Sequence, residues 1–233
     1  MDKSPSGFPP AARVAIMQPY FVPYAGYFRL FQAADVFVIY DCVQFPRRGW
    51  VHRNQLPGHD HALRWLTLPL EKVERDAPIL ALRFPKDAEH RLVTQFPRFP
   101  ALSKLGEHCP ALSTALTALG VTPVDYLERL LHVICADLHL PCRTVRSSQL
   151  PIAESLRGQD RIIAIVKHLG AHTYVNSQGG RSLYAQKDFE KFDLQLRFLT
   201  RYAGSTVSIL HRMLDQGAES VGEEIRRDTN LEA

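Results

Sequence analysis

Short apolar runs that stop abruptly at a hydrogen-bonding side chain constrain this chain more than any other feature. Residues 14–17 (VAIM) end at Gln18 and residues 36–40 (VFVIY) end at Asp41. Residues 143–146 lead into Ser147 and Ser148, and residues 172–175 into Asn176 and Ser177. Runs this short and this apolar read as strands buried on both faces. Between them lie stretches with helical spacing, at 24–33, 124–140 and 159–169. Strands alternating with helices imply an α/β, Rossmann-like, largely parallel sheet flanked by helices. In such a sheet the carboxyl ends of the strands share one edge, so four polar endings predict a crevice built from distant parts of the chain. The alternative for each ending taken singly is a turn former or a cap.

The remaining elements follow by the same reasoning. Residues 63–68 and 79–84 read as further strands, the first with Trp65 and Thr67 alternating against leucines. A short helix is expected at 87–96, then short helices and loops punctuated by Pro97, Pro100 and Pro110. Thr122 reads as an N-cap with Pro123 at the first helical position, and Gly170 as a C-cap. A strand at 194–199 and helices at 207–216 and 221–227 complete the pattern. The expected organisation is a disordered lead at 1–12 and a single α/β domain at 13–233, with a helical insertion at about 86–140.

Composition narrows the function classes. A 45% hydrophobic and 22% charged chain is that of a globular protein rather than a disordered one. A net charge of +4 spread over 233 residues argues against nucleic acid, and is better spent on an anionic group such as a phosphate. No run approaches the roughly 18 uncharged apolar residues of a membrane span, and the N-terminus lacks the apolar stretch of a secretion signal. Cys42, Cys109, Cys135 and Cys142 form no CxxC pair, so neither zinc nor another metal is expected. A reduced, cytoplasmic protein is the corresponding reading. Cys135 and Cys142 lie close enough in sequence to meet at a helix end, with core packing as the alternative for Cys135.

Most of the unusual chemistry falls between residues 14 and 54. Asp41 reads as a proton acceptor or orienting group, or as a turn cap. Arg48 and Arg53, close to Trp50 in what reads as a loop, offer guanidinium forks for phosphate or carboxylate, or form a solvated basic loop around a buried tryptophan. Gln18, Tyr20, Tyr24 and Tyr27 surround the first strand-to-helix turn, as ligand contacts or as core tyrosines. Ser147 and Ser148 can bind a ligand oxygen or cap a turn. Gly179 and Gly180 can let backbone amides approach an anion, or simply turn the chain. Cys42 is either a nucleophile, with His52 as its base, or a small buried hydrophobe.

The segments MQPYFVPYAGYF, FVIYDCVQFPRRGWVHRNQL and WLTLPL together resemble the WbqC-like protein family. SSQL, the arginine of QDRII, TYVNSQGGRSLY and YAGSTVSILHRMLDQG extend that resemblance from about Arg13 to Gly217. It implies functional positions at Gln18, Tyr20, Tyr24, Tyr27, Asp41, Gln44, Arg48, Trp50, Arg53, Asn54, Ser147, Ser148 and Arg161. Cys42 stands where the pattern has no fixed residue, and His52 where asparagine is expected. Members accompany bacterial surface-polysaccharide (O-antigen) and natural-product gene sets, which implies a biosynthetic transferase. The opening strand, loop and helix also resemble adenylyl-transferring synthetases. Tyr24-Ala25-Gly26-Tyr27 stands at their HxGH position, however, and tyrosine carries no positive charge near neutral pH.

The expectation is an enzyme that transfers an acyl or aminoacyl group, from a carrier-protein thioester or similar activated donor, to an amine. Asp41 orients or deprotonates that amine, Arg48 and Arg53 hold an anionic donor arm, and Gln18, Ser147 and Ser148 bond the reacting carbonyl. Asn176, Ser177, Gly179 and Gly180 close the other side of the crevice. No resident cofactor is expected beyond a phosphopantetheine-linked donor, and the partners are a small-molecule substrate and an acyl or peptidyl carrier protein. The alternatives are a nucleotidyltransferase-like enzyme, or a non-catalytic carrier- or glycan-binding module.

Overall fold

All four polar-ended runs lie in one sheet of the computed structural model, which describes residues 12–232. The disordered lead expected at 1–12 lies almost wholly outside the described residues. In chain order the strands are β1 (Arg13–Met17), β2 (Val36–Ile39), β3 (Arg53–Pro57), β4 (Leu63–Thr67), β5 (Thr144–Arg146), β6 (Thr173–Asn176), β7 (Gln195–Leu199) and β8 (Leu231–Glu232). The main sheet runs β5-β2-β1-β6-β7-β8, parallel throughout except for β8. With the separate β3–β4 hairpin set aside, that is the doubly wound order of a Rossmann-like sheet, and its connections reverse direction between β1 and β6.

Continuous apolar strands follow from burial on both faces. Ala15, Phe37 and Ile39 enter one core, while Val14, Ile16, Val36 and Val38 enter the other. The first face is covered by α1 (Ala25–Ala33), α5 (Pro123–Asp137), α8 (Ile209–Gln216) and α9 (Ala218–Arg227), the second by α6 (Gly158–His168) and α7 (Gln186–Glu190). The insertion contributes α2 (Ala88–Val93), α3 (Leu105–His108) and α4 (Pro110–Thr117). Leu92, Leu105 and Leu112 from these helices share a core with Phe37 and Ile39. Thr122 Oγ accepts from the Asp125 amide at 3.2 Å with Pro123 following it, and Gly170 takes φ 66 after α6. Both helix boundaries therefore form as their end residues predict.

Two expectations fail for physical reasons. Residues 79–84 are not a strand: Ile79–Ala81 is a 3₁₀ turn. Its buried residues, Ile79 and Leu82, are three apart, and Leu80 between them is exposed, a period of three rather than two. Arg53 does not lie in a loop with Arg48 but in β3, which alternates buried and half-buried residues against β4. The buried positions of β3 are Asn54 and Leu56, so a polar residue fills one inward place and hides the strand pattern. Among the described residues no helix is long and apolar enough to cross a membrane.

Candidate functional site

Asp41 leaves β2 one residue after Tyr40 and is only 1% exposed. Three donors from the end of β5 converge on its carboxylate: Ser147 Oγ at 2.8 Å, the Ser148 amide at 3.0 Å and Ser148 Oγ at 2.6 Å. The parallel pairing Ile39↔Arg146 places the two strand ends side by side, which is why residues over a hundred positions apart meet here. A hydroxyl has one proton, and both serines give theirs to Asp41. This corrects their expected part as donors to a carbonyl: in this arrangement they offer lone pairs. Ser147 is fully buried, whereas Ser148 is exposed.

Ser147 and Ser148 open onto a cavity of about 660 Å³ lined also by Tyr40, Cys42, Gln44, Arg157, Gly158 and Arg161. Arg161 is 7% exposed. Its Nη1 donates to the Ala153 carbonyl at 3.1 Å, but its Nε is buried with no hydrogen-bond partner. Gly158 opens α6, and no side chain caps the helix's first turn. The uncapped helix N-terminus beside Arg157 and Arg161 favours an anion, against the carboxylates of Asp76 and Glu154 elsewhere in the same lining. Burial, and then the neighbouring Cys42, push the Tyr40 hydroxyl up to about 12, so it stays a protonated donor.

A second cavity, of about 240 Å³, lies at the carboxyl ends of β1 and β6, where the sheet order reverses. Tyr20, Tyr24, Tyr27, Trp50 and Tyr202 supply rings to it, and Ser177, Gln178, Gly179 and Thr200 its polar edge. A Cβ on Gly26 would sit 2.4 Å from the Tyr24 ring and 2.8 Å from that of Tyr202, so glycine is what lets the two rings meet there. Tyr27 OH donates to the Gln18 carbonyl at 2.8 Å, and burial raises its pKa well above the ordinary tyrosine value. Arg29 forms part of the wall, donating to the Thr200 carbonyl at 2.9 Å and to Thr200 Oγ at 2.8 Å.

The single crevice expected from the four strand ends is therefore two neighbouring cavities. Arg48 and Arg53 line neither of them. Arg53 stacks its guanidinium 4.1 Å over Trp65 and donates to the Arg48 carbonyl at 2.8 Å. The buried amide of Asn54 donates to the Phe21 and Val22 carbonyls, at 3.2 and 2.7 Å, holding the turn where Val22 takes φ 38. Asn54 thus shapes the aromatic loop rather than facing a ligand. Asn176 Oδ1 accepts from the Ser177 amide at 2.7 Å, and its side chain packs against Gly180, so both act on the turn. Gln44 sits at the rim, donating to the Arg75 carbonyl at 2.8 Å. Gln18 is half-buried at the end of β1, and the register Met17↔Ile39 sets it beside the end of β2.

His52 lines neither cavity and packs edge-on against Phe45 at 5.1 Å. Burial, with Arg53 adding to it, draws its pKa down to about 4. Among the described residues no group of three His, Cys, Asp or Glu side chains is placed to hold a metal ion. Sequence reasoning missed Arg157, Tyr40, Arg29 and Tyr202. Arg157 carried no local signal, since arginine is not a helix N-cap type and its side chain caps nothing at α6. Tyr202 approaches Tyr24 only through the fold.

The family's sequence profile matches residues 18–205, a span that contains both cavities' ring and hydroxyl groups. The uncharacterized protein Rv1507c of Mycobacterium tuberculosis is 26% identical over 227 residues, covering 89% of this chain and 95% of that protein. No solved structure matches the chain. By a match that reaches from the first polar strand ending past the aromatic wall, the chain belongs to the WbqC-like protein family.

Proposed function

We propose that the protein is a biosynthetic transferase that moves an acyl or aminoacyl group from an activated, phosphate-bearing donor to an amine, with Asp41 and Ser148 at the reacting centre. The observation that carries this reading is the 2.6 Å bond from Ser148 Oγ, a group lining the larger cavity, to the buried carboxylate of Asp41 behind it. As the amine nitrogen attacks the donor carbonyl, its surplus proton passes to Ser148 Oγ while the serine proton passes to Asp41. The bond to the leaving thiolate then breaks, and the proton returns to that sulfur. Arg161 and the N-terminus of α6 hold the donor's phosphate, in place of Arg48 and Arg53. The Tyr40 hydroxyl, which lines the same cavity, is the neutral donor to the carbonyl oxygen in place of Gln18, which lines neither cavity. A donor of the phosphopantetheine-linked kind satisfies these demands, in surface-polysaccharide or natural-product biosynthesis.

Asp41→Asn is a close test, because asparagine keeps an oxygen for Ser147 and the Ser148 amide but turns an NH₂ towards Ser148 Oγ. Amine-dependent thiol release from an acylated phosphopantetheine is expected to fall by about 10²–10⁴-fold with circular dichroism unchanged. Unchanged turnover removes Asp41 and the proposal with it. A second reading, a glycan-binding module, draws on the ring-walled cavity. It requires that Trp50→Ala abolish glycan binding while no thiol release occurs with any variant.

A further inference from the structure

Two cysteines that the proposed reaction does not use lie together at the far end of α5. The helix ends in a turn at which His139 takes φ 53, and the Leu140 amide returns to the Cys135 carbonyl at 2.9 Å. That reversal lays the following strand entry alongside the last helical turn. Cys142 thereby packs against the buried cluster that holds Cys135, where it interacts with that thiol and with the ring of His132. Cys135 is fully buried and Cys142 half-buried, and neither is in a disulfide. The two thiols thus differ in access, the outer one reachable by a small solute and the inner one closed to it.

The histidine is itself organised. His132 Nε2 lies 2.8 Å from Thr144 Oγ, which donates to Glu128 Oε1 at 2.7 Å. Glu128 in turn receives Arg146 Nε at 2.6 Å, and Arg146 pairs with Asp125 at 2.7 Å. The titratable groups facing the pair are therefore His132 and Glu128 from α5 and Tyr27 from α1, with Arg146 and Asp125 behind Glu128. The contact with Cys135, and then that with His132 acting against burial, lower the Cys142 thiol below the ordinary cysteine value. Burial, followed by the contact with Cys142, raises the Cys135 thiol, so the outer sulfur is the readier of the two to ionise. The contact with Cys142 raises His132 in return.

We infer that Cys142 and Cys135 form a two-cysteine peroxide-modification site, with Cys142 the attacking sulfur, Cys135 the resolving one and His132 the positioning residue. The Cys142 thiolate attacks a hydroperoxide, forming an S–O bond as the O–O bond breaks, and the released hydroxide or alkoxide takes up a proton. The sulfenic acid is neutral, so the negative charge beside Cys135 is gone. Cys135 then attacks it, forming the S–S bond as the S–O bond breaks, and water leaves with the Cys135 proton. Two thiols are oxidised to a disulfide and the peroxide is reduced. A half-exposed thiolate beside a resolving thiol is the arrangement that peroxide-sensing cysteines share. Cys42 and Cys109 lack such a neighbour among the bonds the structure shows.

The full-length chain is reduced, treated with hydrogen peroxide, alkylated with iodoacetamide and read by intact and peptide mass. Loss of two hydrogens, a linked 135–142 peptide and reversal by dithiothreitol are expected. Cys135→Ser is expected to leave Cys142 as a sulfenic acid that dimedone captures. His132→Gln should slow Cys142 oxidation several-fold while circular dichroism stays unchanged. No linked peptide in the wild type, or faster oxidation at Cys42 or Cys109 than at Cys142, overturns the inference. The readout needs no substrate, so it stands or falls apart from the transferase reading.

Discussion

Buried polar residues here are mostly committed to neighbours, and the exceptions are informative. Asp41 and Asn54 are both about 1% exposed, and each bonds several groups that the chain brings from elsewhere. Arg161 differs, because the residue lines a cavity while its buried Nε is left without a partner. His52 is a second case, with a buried Nδ1 that finds no partner and a pKa lowered to about 4. In the unfolded chain the imidazole titrates near its ordinary value of about 6.5. Between those two values the unfolded state binds the extra proton, so this residue withdraws stability as pH falls from about 6.5 towards about 4. His52→Asn is expected to flatten that part of the curve of melting temperature against pH; an unchanged slope would show that His52 does not contribute. Solvent access to the ring keeps the effect well below the full value of such a shift.

Elements, rather than single residues, set the shape of the aromatic cavity. β3 holds the Phe21–Val22 turn through Asn54, and Ser208 at the start of α8 adds a bond to the same Val22 carbonyl at 2.7 Å. A β-branched residue at positive φ is strained, so these bonds are what keep the turn in place. Asn54→Ala is expected to destabilise the protein by about 1–3 kcal/mol in urea titration, since it strips donors from buried carbonyls. It should also raise hydrogen exchange in the 18–24 loop, and an unperturbed loop would separate the turn from β3. The expected helices around the sheet are observed because their boundaries are local: Thr122, Pro123 and Gly170 each act within one turn. β3 was not legible, because its inward Asn54 is acceptable only once Phe21 and Val22 are beside it.

At the scale of the molecule, the helices of the 86–140 region share a core with the sheet. Leu112, Leu116 and Leu127 belong to the same buried cluster as Phe37, Ile39 and Leu210. One cooperative unfolding transition is therefore expected by calorimetry, and two resolved transitions would mean the insertion folds by itself. α9 joins this core through Gly222, where an added Cβ would lie 2.2 Å from the Leu138 carbonyl oxygen at the end of α5. Gly222→Ala is expected to cost about 1–3 kcal/mol, because backbone cannot move aside as a side-chain end can.

By itself the sequence determined the alternation of strand and helix, the parallel sheet that alternation requires, and the strand ends at which polar residues gather. Those follow from periodicity and from turn chemistry acting over a few residues. It also placed Asp41, Ser147 and Ser148 along the same edge. Only the tertiary structure decided that the serines give their protons to Asp41, that the edge holds two cavities, and that Arg161 rather than Arg48 or Arg53 lines the larger one. A side chain's partners depend on which strands lie side by side and in what register. The pairing of β2 with β5 joins positions 41 and 148, and no local pattern in either segment carries that information.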